Sequence, residues 1–213
     1  MAKPAKTDNP IHEILVQRWS PRAFTAQPVS EEDLRSILEA ARWAASSFNE
    51  QPWRYIVATR DRPEQFARVL ECLVPANQAW ARNAQVLMLG VVKETFTHND
   101  APNRSAAHDL GAASANMTFE ATARGLAVHQ MGGILPDKAR EVFGIPEGFH
   151  AATAIAIGYE GDPATLPEAY RASETDPRTR RPLDEIAFGD TWGAPVAALS
   201  PAGGSHGSND QER

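Results

Sequence analysis

Arg18, Ser20 and Arg22 place two guanidinium groups and one hydroxyl within five residues. Guanidinium forks grip phosphate bidentately, and a serine hydroxyl adds a neutral hydrogen bond. Side chains two apart on an extended segment point the same way, so all three groups can face one ligand. Arg178 and Arg180 repeat that spacing in a stretch without periodicity. Such arginines also occur simply as solvated surface residues. A second cluster, Ser46, Ser47, Asn49 and Gln51, runs into Pro52-Trp53. Amide side chains carry donor and acceptor together and can read the edge of a heterocycle. The same residues are also ordinary turn chemistry between a helix and a strand. Together the clusters suggest a site for a planar, phosphorylated, heteroaromatic ligand.

Gly132-Gly133 follows a predicted strand. Paired glycines permit close approach of a ligand to the backbone, or only a tight turn. Neither a dinucleotide-binding glycine fingerprint nor a P-loop is present. His12, His98, His108, His129 and His150 are scattered without metal-ligand spacing, so no zinc site is expected. No nucleophile elbow occurs. Trp43, Trp53 and Trp80 read as core or interface residues rather than a ligand cage. Cys72, the single cysteine, reads as a buried small hydrophobe. One cysteine forms no intramolecular disulfide, which fits a reducing compartment.

The elements that must position these groups come from a chain of 213 residues, 42% hydrophobic and 23% charged, as for one soluble domain. A net charge of −6 disfavours nucleic acid and anionic membrane as partners. No apolar run reaches membrane-spanning length, and residues 1–6 lack the apolar core of a signal peptide, so a cytoplasmic location is expected. Asn9-Pro10 reads as the start of a helix carrying Ile11, Ile14 and Leu15 on one face and delivering Arg18 to its end. Ser30 begins a capping box, followed by Leu34, Ile37, Leu38, Ala41 and Ala45 at helical spacing. Strands are predicted over 55–59, 86–92, 126–130 and 151–159. Helices are predicted over 63–73, 103–124 (closed by Gly125) and 136–143 (stopped by Gly144), with a last helical turn over 182–186. Helices and strands do not alternate regularly, so an α+β fold is expected. Residues 1–9 are expected to be a flexible N-terminus, 10–190 a single domain, and 191–213 a tail whose end, from Ser200, is disordered.

Four segments, in this order, resemble the FMN-dependent nitroreductase family. They are Arg18-Trp19-Ser20-Pro21-Arg22-Ala23-Phe24, Ser46 to Trp53, Gly125-Leu126 with Met131-Gly132-Gly133, and Arg178-Thr179-Arg180-Arg181-Pro182-Leu183. The likeness runs from Ile11 to Phe188. It implies a central, mostly antiparallel sheet flanked by helices, and a homodimer with FMN at the subunit interface. By similarity Arg18, Ser20, Arg178 and Arg180 would hold the FMN phosphate, and Arg22 would lie by the pyrimidine edge. Ser46, Ser47 and Asn49 would reach the partner's FMN. The backbone around Met131, Gly132 and Gly133 would pass flavin N5. Asn77 would touch the flavin edge, and Trp19 and Gln130 complete the cofactor set.

The implied activity is ping-pong transfer of hydride from NADH or NADPH, through flavin N5, to a nitroaromatic or similar small-molecule acceptor. Catalytic side chains are not required, and Arg22 would serve as electrostatic support. The alternatives are reduction of a quinone, an activated alkene or a carbon–halogen bond, or FMN binding without turnover. Three positions depart from the family pattern: Trp19 for a basic residue, Ala45 for a proline, and Trp80 for a lysine. Residues Thr95 to Ser105, with His98, Asn99, Asp100 and Asn103, are a candidate cover over the flavin face or an inert surface loop.

Overall fold

The two continuous apolar runs lie side by side. In the computed structural model, which describes residues 3–199, they form β2 (Val86–Lys93) and β4 (Phe149–Gly158), the central strands of a four-stranded sheet. β1 (Trp53–Thr59) and β3 (Ala127–Met131) are its edges, the order is β1-β2-β4-β3, and every pairing is antiparallel. Alternation along the central strands feeds two cores. Leu87, Leu89, Val91, Ala154 and Ala156 belong to one, with Phe66, Val69, Trp80 and Ala139 from three helices: α3 (Pro63–Leu70), α4 (Pro75–Ala81) and α6 (Pro136–Phe143). Val86, Met88, Val92, Ile155 and Ile157 belong to the other, with Ile37 and Ala41 of α2 (Glu31–Arg42) and Leu110, Ala113, Met117 and Ala121 of α5 (Ala106–Ala123). The expected α+β architecture, a central antiparallel sheet with flanking helices, is the one observed.

Local signals placed several ends correctly. Ser30 Oγ accepts from the Asp33 N–H at 3.0 Å, and α6 stops at Gly144. Cys72 and Trp80 are fully buried and Trp53 is buried, whereas Trp43 is exposed. Three expectations are corrected, and one helix not expected is added. The first helix, α1 (Glu13–Gln17), is capped by His12 rather than starting at Asn9-Pro10. It has five residues and none buried, too few to nucleate a longer helix without a core contact. α2 ends at Arg42, before Ala45. The helix expected over 63–73 ends at Leu70, because Pro75 forces Val74 into extended backbone and opens a separate helix, α4. The stretch after Gly161 contains α7 (Glu168–Thr175), whose one buried residue is Glu174. A helix that buries a carboxylate shows no apolar periodicity to read.

Contacts divide the chain into two units, one running up to Pro177 and one from Arg178 onward, so the expected domain 10–190 crosses that boundary. In the first unit, the Ala5 N–H donates to the Val16 carbonyl at 2.8 Å. The second unit, as described to Leu199, has a 3-10 turn at Leu183–Glu185, where a helical turn was expected, and a Phe188–Trp192 ring contact. The disorder expected from Ser200 onward falls outside the described residues. Among the described residues no helix is long and apolar enough to cross a membrane.

Candidate active site

The segment from Arg18 to Arg22 leaves the end of α1 and runs beside edge strand β3. Arg18 is the C-cap of α1, and its Nη1 donates to Ser20 Oγ at 3.1 Å, so the first two groups of the row meet. Trp19 takes a different partner, as alternation in an extended segment requires. Its Nε1 donates to Glu160 Oε2 at 3.2 Å, and Lys3 Nζ lies 5.1 Å from its ring centroid. The Trp19 indole is thus fastened to Glu160.

His129 of β3 underlies the segment. Its Nδ1 lies 3.0 Å from the Pro21 carbonyl oxygen, which can only accept, so Nδ1 carries the proton. The imidazole packs 4.5 Å from the Trp80 ring. Burial pulls its pKa down from 6.5 to about 4; the Pro21 bond opposes the shift, and the charges of Arg22 and Arg18 add to it. A neutral histidine therefore props the backbone that carries the two arginines.

Arg22 is the most constrained member. Its backbone N–H donates to Glu174 Oε2 at 2.9 Å. Its Nη1 donates to Ser173 Oγ at 2.9 Å and pairs with Glu174 Oε1 at 3.4 Å. Its guanidinium carbon lies 6.0 Å from the Trp80 ring centroid and 5.8 Å from that of Tyr170. Trp80 thus meets the Arg22 cation as an aromatic face.

β3 runs into the glycine pair, whose members have different surroundings. A methyl on Gly133 would stand 2.6 Å from Asn77 Nδ2 and 2.9 Å from Val74 Cγ2. Glycine is required there because α4 packs against the turn, and the Gly133 carbonyl accepts from the Val74 N–H (3.1 Å) and from Asn77 Nδ2 (3.0 Å). A methyl on Gly132 would meet nothing within 4 Å, and Gly132 is exposed. Met131 is buried, and its carbonyl accepts from Thr153 Oγ1. Gln130 Nε2 donates to Thr118 Oγ1 at 3.1 Å and to the Ser114 carbonyl of α5.

The serine and asparagine cluster lies at the other edge of the sheet, leading into β1. Ser46 Oγ accepts from the Gln51 N–H at 3.0 Å, and the Ser47 N–H donates to buried Asp109 of α5 at 3.2 Å. Phe48, Asn49 and Gln51 all have positive φ, at 53°, 54° and 50°. Three non-glycine residues in that region within four positions mark a loop strained by its surroundings. Phe48 is exposed and contacts the rings of Phe96 and His98. From β1 to β3 is three strand spacings, roughly 14 Å. The sequence-predicted residues therefore fall into two groups at opposite edges: Arg18, Ser20, Arg22, Asn77 and the glycine pair near β3, and Ser46, Ser47 and Asn49 near β1. Arg178 and Arg180 lie in the second unit, where partial burial, then the charge of Arg180, lowers the Arg178 pKa.

Sequence reasoning missed His129, Glu174 and Glu50. Glu50 accepts from the Thr97 N–H at 2.8 Å and from the Thr97 hydroxyl, and pairs with Lys93 at 3.2 Å. These bonds, the Thr97 hydroxyl foremost, hold its carboxyl at about 2. The signal for Glu50 was its place inside the Ser46 to Trp53 motif; His129 and Glu174 carried none.

The donor set at the β3 edge suits a phosphorylated flavin. Guanidinium and hydroxyl groups bind phosphate, a second guanidinium suits an electron-rich ring edge, and the open flank of Gly132 lets a flat ring approach backbone.

A model of the nitroreductase family matches residues 15–159, a span that includes both groups and ends before Arg178. An uncharacterised 15.4 kDa protein of Mycolicibacterium smegmatis is 34% identical over 149 residues, 67% of this chain and 99% of the relative. The major NAD(P)H-flavin oxidoreductase of Aliivibrio fischeri is 28% identical over 211 residues, 77% of this chain and 95% of its own length. A crystal structure described as an oxidoreductase containing FMN superposes with a TM-score of 0.82 at 35% identity, covering 88% of this chain and 96% of that one.

Proposed function

The chain belongs to the nitroreductase family, and on that premise we propose that it is an NAD(P)H-dependent flavoenzyme that reduces a nitroaromatic or similar acceptor. The observation that carries the proposal is the row Arg18, Ser20 and Arg22, propped by His129 beside the open flank of Gly132. Hydride transfer from the nicotinamide to flavin N5, and from there to an acceptor in a second half-reaction at the same face, is the chemistry that FMN supplies when bound.

The protein's share is binding and charge. Arg18 and Ser20 grip phosphate. Arg178 and Arg180 are given the same role on their residue types and spacing. Arg22 holds positive charge where reduction places negative charge on the ring, and it is already fixed in place before reduction occurs. The glycine turn, braced by Asn77, offers flat backbone to the ring. Ser46, Ser47 and Asn49 serve the flavin of a second copy, and their position at the far sheet edge supports this division. The working unit is then a homodimer with a site at each interface. A side-chain nucleophile or general base has no part in this scheme.

The test is anaerobic. FMN-loaded protein mixed with NADH or NADPH should lose its flavin absorbance and regain it when a nitroaromatic is added. Flavin that stays oxidised with both nicotinamides overturns the enzymatic reading in favour of FMN binding without turnover. A panel including quinones, activated alkenes and organohalides ranks the acceptors.

A further inference from the structure

We propose that Glu174 is a positioning residue that clamps Arg22 and offsets its charge, setting the reduction potential of the bound flavin. The inference rests on the reading above that Arg22 faces the flavin.

Glu174 is 4% exposed, although it sits on a short helix whose other residues are not buried. Its carboxylate makes three contacts, all to Arg22 and the next residue, Ala23. Oε2 accepts from the Arg22 N–H at 2.9 Å and from the Ala23 N–H at 3.5 Å, and Oε1 pairs with Arg22 Nη1 at 3.4 Å. Burying a charge is unfavourable unless its partners offset the lost hydration. An amide could accept the same backbone bonds without the charge, whereas an apolar residue would leave the Arg22 and Ala23 N–H groups without this acceptor. What the carboxylate adds to those backbone bonds is a negative charge 3.4 Å from Arg22 Nη1.

Two consequences follow from the geometry. First, one guanidinium nitrogen, Nη1, is bonded by both Glu174 and Ser173 Oγ (2.9 Å), and the group lies near the Trp80 and Tyr170 rings, so it has little freedom to follow a changing ligand. Second, a negative group 3.4 Å behind the cation reduces the positive potential in front of it. A ring that gains negative charge on reduction is then less stabilised than by Arg22 alone, and its potential is more negative.

The experiment is a spectroelectrochemical titration of bound FMN in the wild type, Glu174→Gln and Glu174→Asp. Glu174→Gln keeps the shape and removes the charge, so the midpoint potential should move to a more positive value, while Glu174→Asp should stay near wild type. Flavin content and near-ultraviolet circular dichroism show that the site is intact. Ser173 is exposed, and Ser173→Asp places a second carboxylate at the same Nη1, so its potential should move to a more negative value. This variant also decides the matter if Glu174→Gln does not fold. Unchanged potentials in folded, FMN-loaded variants overturn the inference and leave the proposed function standing. Wild-type protein that stays colourless after incubation with FMN overturns both.

Discussion

Glu50 ties the strained loop before β1 to the segment after β2: its Oε2 accepts from the Thr97 N–H at 2.8 Å across 47 positions. Lys93 completes the knot, donating to both Glu50 and Thr97 Oγ1. The 95–105 segment, a candidate cover, is thereby attached to the loop that carries Asn49. The Thr97 bonds hold the Glu50 carboxyl at about 2, below its ordinary value of 4.5. Because the folded value is depressed, this stabilisation is complete above about pH 4.5 and is lost as pH falls through 2. Hydrogen exchange at the Thr97 amide should stay slow at pH 5 in the wild type and become fast in Glu50→Ala. The variant should lose about 1–2 kcal/mol of stability. Unaltered exchange in the variant would remove the latch.

His129 works in a separate pH window. Its pKa, pulled from 6.5 to about 4 chiefly by burial, means that protonation favours the unfolded chain. Stability should be full above pH 6.5 and should fall as pH drops toward 4, by up to about 3 kcal/mol. Urea midpoints measured between pH 4 and 7.5 should show this slope in the wild type. They should not show it in His129→Phe, which should be less stable at pH 7 because the Pro21 carbonyl loses its donor.

The two glycines should respond oppositely to alanine. Gly133→Ala drives a methyl into Asn77 and Val74 and should cost about 1–3 kcal/mol. Gly132→Ala meets nothing and should leave stability within about 0.5 kcal/mol of wild type. It should nevertheless weaken FMN binding, since the methyl occupies the flank offered to the ring. Thermal melts and FMN titrations of the same two proteins separate the effects.

If Arg18 and Asn49 serve different flavins, two inactive variants should complement each other. Mixing Arg18→Ala with Asn49→Ala after dissociation places one wild-type Arg18 and one wild-type Asn49 at the same interface in every heterodimer. Random reassociation should restore about a quarter of wild-type activity, half the dimers being mixed and half their sites intact. A mixture no more active than its components would place both residues at one flavin within a single copy.

Arg178→Ala/Arg180→Ala should purify depleted of FMN with its melting temperature otherwise intact, as judged by the flavin-to-protein absorbance ratio. Full flavin content would take both arginines out of the phosphate role.

The residue order alone determined the parts governed by local or periodic forces. The runs that became β2 and β4 are apolar at consecutive positions because both faces of each strand are covered, and such runs stand out in any sequence. Ser30 and Gly144 mark helix ends because capping is a contact between near neighbours. The Arg18 row and the Ser46 cluster were legible as chemistry by residue type and spacing. Tertiary structure decided how those residues are used. Glu174 meets Arg22 across 152 positions, His129 meets Pro21 across 108, and Asn77 meets Gly133 across 56. These pairs have no period and no local signature. α7 escaped notice for the same reason, since what it buries is a carboxylate held by a distant arginine. The separation of the two clusters to opposite sheet edges also follows from strand order, which pairs β4 between β2 and β3 and cannot be read from any one segment.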